Sequence, residues 1–85
     1  MNASLELEEA LESTLLLLGE QERKLGAVLK EFREAARQAV RDGRLDEADA
    51  AMTRHERARQ ELTKLEASIM QVERKLYALR RQRRR

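Results

Sequence analysis

Along this 85-residue chain the apolar side chains recur at alternating spacings of four and three, on both sides of one strong breaker. Before the breaker the row runs Leu7, Leu11, Leu18, Leu25, Val28, Phe32, Ala35 and Ala39, with Thr14 and Gln21 as polar interruptions. After it the row is Ala48, Ala51, His55, Ala58, Leu62, Leu65, Ile69, Val72, Leu76 and Leu79, interrupted only by His55. A mean period of about 3.5 held over about five heptads is the seam of a left-handed coiled coil. A strand would alternate every second residue instead. The chain contains no proline to interrupt either row.

The breaker is Asp42-Gly43-Arg44. Gly43 follows the helical run ending in Val40-Arg41 and suits the left-handed position just past a helix end. Gly19 and Gly26 lie inside periodic stretches, where a glycine costs about 1 kcal/mol against alanine without ending the helix. Asp46 offers an N-cap oxygen, and Glu47 and Asp49 put negative charge at the start of the next helix. These signals predict a helix over 3–41, a turn over 42–45, a second helix over 46–82 and a basic tail over 80–85.

The two rows mirror each other. Folding the chain at Gly43 places opposite one another residues whose numbers sum to about 87, so Ala39 meets Ala48, Phe32 meets His55, Leu25 meets Leu62, Leu18 meets Ile69 and Leu11 meets Leu76. The expected fold is all-α and single-domain: a long antiparallel two-helix hairpin, a coiled coil with arms of about 55–60 Å. Its seam is alanine-rich near the turn and leucine-rich at the open end. Charge agrees with this topology. Residues 1–22 carry six glutamates and no basic side chain, and residues 74–85 carry seven basic side chains and no acidic one. The hairpin makes these blocks neighbours, each with the favourable sign for its own helix dipole.

The chain has more apolar surface than one seam can hide. Leu15, Leu16 and Leu17 surround the seam residue Leu18 and cannot all point one way. Met70 and Tyr77, seven residues apart, fall just off the second row. The mirror rule sets Met70 near Leu17 and Tyr77 near Ala10, with Leu29 and Met52 extending the stripe. Leu15, Leu16, Leu17, Met70 and Tyr77 are therefore the expected partner-binding residues, on a stripe at the open end. The occupant is a helical segment of another protein or a second copy, two hairpins forming a homodimeric four-helix bundle. The competing expectation is polyanion binding, to nucleic acid or an anionic membrane surface, through Arg80, Arg81, Arg83, Arg84 and Arg85.

Nothing in the pattern points to catalysis. His55 is the only histidine, and no second one follows it a turn later. The serines have no base arranged near them, and the three glycines form no phosphate-binding loop. The reading is a non-enzymatic protein with no cofactor or metal. There is no cysteine, the first eighteen residues contain no Lys or Arg, and the longest apolar run is Leu15 to Leu18. These features argue against a disulfide framework, a basic targeting segment and a membrane span, and predict a soluble, cytoplasmic protein.

The stretch from Ala39 to Ala48, with its Asp42-Gly43-Arg44 turn between an alanine-bearing helix and a charged one, resembles the first hairpin of ESCRT-III subunits. It also resembles the Gly-x-Leu-x-Glu-Ala turn of tetratricopeptide hairpins, although no second repeat of about 34 residues is present. In size and architecture the whole chain is similar to the small helical-hairpin co-chaperones of bacterial type III secretion. That resemblance implies a chaperone or adaptor role exercised by pairing with a second protein.

Overall fold

The computed structural model describes residues 3–84. Helix α1 spans Ala3–Arg41 and helix α2 spans Leu45–Arg83, each 39 residues long. They pack against each other as one antiparallel hairpin. At 1.5 Å per residue each helix is about 58 Å long, which accounts for most of the 63 Å long axis of a rod only 15 × 14 Å across.

The turn follows from glycine's freedom at one position. Gly43 has φ +73°, and its amide donates to the Val40 carbonyl at 3.1 Å while the Arg44 amide donates to the Ala39 carbonyl at 2.8 Å. This pair of bonds is the Schellman closure, which satisfies the last carbonyls of α1. Helix α2 then starts one residue earlier than expected. Its cap residue is Arg44, which makes no side-chain capping bond, so Asp46 lies inside the first turn instead of capping it. The local carboxylate work falls to Asp42, which accepts from Arg44 at 2.8 Å and from Gln38 at 3.2 Å. These hydrogen bonds, that from Arg44 first, hold the Asp42 carboxyl below its ordinary range.

Every position of the expected α2 row is inward: Ala48, Ala51, Ala58 and Leu76 are buried, and the other six are half-buried. Helix α1 corrects the reading at alternate positions. Leu11, Leu18, Leu25, Phe32 and Ala39 are inward as expected, but Leu7, Thr14, Gln21 and Ala35 are exposed. Their places are taken by the next residue along: Glu8, Leu15, Glu22 and Ala36, with Leu29 joining Val28 as half-buried. With this phase all ten positions of α1 mirror all ten of α2 in a single register. The unexpected member is Glu8, a carboxylate only 5% exposed.

The seam is tightest near the turn, where Ala36, Ala39, Ala48 and Ala51 are buried because small side chains let helices approach closely. Toward the open end, among the described residues, only Glu8 and Leu76 are buried to the same degree. His55 lies between these regimes with a buried Nε2 that has no hydrogen-bond partner. The core is thin, since among the described residues no side chain is fully buried.

Candidate protein-interaction surface

Two open grooves run between the helices, and they identify the two sides of the hairpin. One, about 700 Å³, lies near the turn and is lined by Arg33, Arg37 and Val40 of α1 with Leu45, Asp49 and Met52 of α2. The other, about 610 Å³, lies at mid-length on the opposite side and includes Gln21, Lys24 and Val28 with Glu61, Lys64 and Ser68. Residues seven apart occupy equivalent positions along a coiled coil, so each groove labels a whole side.

Leu16 precedes Arg37 by three heptads, and Leu5 precedes Val40 by five. Met70 and Tyr77 follow Asp49 by three and four heptads. Leu5, Leu16, Val40, Leu45, Met52, Met70 and Tyr77 therefore share the first side. Leu17 precedes Lys24 by one heptad and Leu7 precedes Gln21 by two, which puts both on the second side. These nine are the large apolar side chains exposed among the described residues, so seven of the nine fall on one side.

The expected site is thus regrouped. Leu16, Met70 and Tyr77, at 72%, 52% and 68% exposure, are brought to one side. Leu17 faces the opposite way, and Leu15 is half-buried in the seam. Leu5, Val40 and Leu45 were missed. Val40 and Leu45 flank the turn, where exposed apolar residues are easily discounted, but the heptad spacing of Leu5 from Val40 and of Leu45 from Met52 marks all three. Gly19 and Gly26 are also on this side, two heptads and one heptad before Arg33, and nothing lies within 4 Å of the point where a Cβ would project from either.

The arginine cluster is divided as well. Arg80 donates from Nε to Glu8 at 2.9 Å and from Nη2 to Glu12 at 2.7 Å, and Arg83 donates from Nη1 to Glu8 at 2.6 Å. The Glu8 and Glu12 hydrogen bonds raise the Arg80 pKa further. Arg81 and Arg84 are exposed and make no ion pair among the described residues. Arg85 lies outside the described residues.

Among the described residues no helix is long and apolar enough to cross a membrane, and no group of three or more His, Asp or Glu side chains is arranged to hold a metal ion. Comparison with protein-family models, curated proteins and solved structures finds no match.

Proposed function

We propose that this chain is a non-enzymatic interaction module, an adaptor or co-chaperone-like hairpin that lays one long side against a helical partner. The observation that carries this reading is the placement of seven of nine exposed large apolar side chains on one side, in one group by the turn and one at the open end, since exposed apolar surface gathered in this way marks an interface. The exposed area supports it. The chain presents 6914 Å² at 9.9 kDa, whereas a compact monomer of that mass exposes about 5,200 Å². A two-helix rod with so thin a core gains stability from whatever covers its flank.

The rival reading, polyanion binding through the C-terminal arginines, has less support. Arg80 and Arg83 are already engaged by Glu8 and Glu12, which leaves Arg81 and Arg84 among the described residues. The double substitution Leu16→Glu with Met70→Glu tests the first reading. It should keep full helicity by circular dichroism while lowering the mass of the assembly, or the capture of a partner, by light scattering and pull-down. Unchanged mass and capture would sink the proposal. A binding activity that instead weakens steeply with salt would favour the arginines.

A further inference from the structure

Which partner fits this side is written in the row of α1 that borders the first groove. Read in heptads, the row is Leu5, Glu12, Gly19, Gly26, Arg33 and Val40. It is a chemical palindrome: apolar, acidic, glycine, glycine, basic, apolar. Its centre falls between Glu22 and Arg23, within one residue of the middle of Ala3–Arg41. The charge of the whole helix reverses at the same point, since residues 3–22 carry only glutamates and residues 23–41 carry six basic side chains against two acidic ones.

A row of this kind complements itself when a second copy is laid across it antiparallel. Leu5 then faces Val40 of the other copy, Glu12 faces Arg33, and Gly19 faces Gly26, each pair occurring twice about one two-fold axis. The glycines leave the backbone bare at the crossing, so the two α1 helices can approach closely there. Arg33 is exposed and makes no ion pair among the described residues. In the same register Met52 of α2 meets Tyr77. Glu56 and Glu73 of α2 meet as like charges, so α1 forms the closer contact. The side spans roughly 900 Å² (63 Å × 15 Å), similar to the about 800 Å² per partner of a stable interface.

We infer that the occupant of the first side is a second copy of this chain, docked face to face with α1 on α1 and the two turns at opposite ends. The inference rests on the proposed interaction role and names the partner for it.

Four measurements test it. Sedimentation equilibrium should give a dimer. The chain has no cysteine, so a spin label at Arg41→Cys is unique, and its distance to the same label in the other copy should be about 55–60 Å along the rod. A dimer with the turns together would give about 30 Å or less. Charge exchange supplies the third. Arg33→Glu and Glu12→Arg should each weaken the homodimer about tenfold or more, and mixing the two variants should restore dimers as the heterodimer. Gly19→Leu with Gly26→Leu, whose Cβ atoms would have nothing within 4 Å in the monomer, should keep the helices and abolish the dimer. A monomer at all concentrations, a short label distance, or no rescue on mixing would overturn the inference. A short distance would leave the interaction role standing, because the Leu16 and Met70 variant tests that separately.

Discussion

Glu8 is the residue that most clearly shows orientation competing with burial. A carboxylate in an apolar seam is costly unless its oxygens are paired, and here Oε1 takes Arg80 while Oε2 takes Arg83. Both arginines keep 40–50% of their side chains in solvent, so the triad adds little net stability. It adds specificity, because only the hairpin brings the acidic start of the chain to its basic end. Replacing such a group by a well-packed apolar side chain is often neutral, whereas truncating it is not. Glu8→Leu is expected to unfold in urea within about 1 kcal/mol of the parent, and Glu8→Ala about 1–2 kcal/mol lower. Equal losses in both variants would mean that the carboxylate contributes stability rather than orientation.

At the scale of the element, the turn depends on one backbone angle and the seam on one phase. Gly43 occupies the left-handed region, where a Cβ costs about 1–2 kcal/mol and asparagine is tolerated better than other residues. Gly43→Ala should lower the urea unfolding free energy by about 1 kcal/mol, and Gly43→Asn by less. An unchanged value for the alanine variant would show that α1 can end another way. This turn was legible from three adjacent residues. The phase of α1 was not. At the contested pairs the apolar count is nearly undecided: Ala35 and Ala36 are identical, Val28 and Leu29 are both apolar, and Gln21 and Glu22 are both polar. Thr14 and Leu15 favour the true phase, and Leu7 and Glu8 oppose it. The deciding signal was the mirror itself, because only the true phase keeps one register with α2 through all ten layers. The error turned the seam by roughly 50°, enough to set Leu17 beside Met70 on paper when the two lie on opposite sides. Surplus leucines were therefore legible, but their grouping was not.

For the whole molecule, the rod implies an order of folding. Closing the Ala39–Ala48 layer ties a loop of about ten residues, whereas closing the Leu11–Leu76 layer first would tie one of more than 60, which costs roughly 2 kcal/mol more in entropy. The hairpin should therefore zip from the turn. Ala48→Gly, which costs about 1 kcal/mol in helix propensity, should act mainly by slowing folding in stopped-flow chevrons. Leu76→Ala, which removes a side chain 3% exposed and costs about 2–3 kcal/mol, should act mainly by speeding unfolding. The opposite partition would place the nucleus at the open end.

The clamp of Arg80 and Arg83 on Glu8 also fixes how the molecule bears load. It holds the first and last turns of the rod at the same end, with the whole length of the seam behind it. Tension applied between those two ends meets the clamp, then a single layer, then the next, and the rod yields by peeling at low force. Tension applied between the Gly43 tip and either end runs along a single helix and loads its own backbone hydrogen bonds, leaving the seam almost unstrained. The same seam is therefore peeled layer by layer in one direction and bypassed in the other.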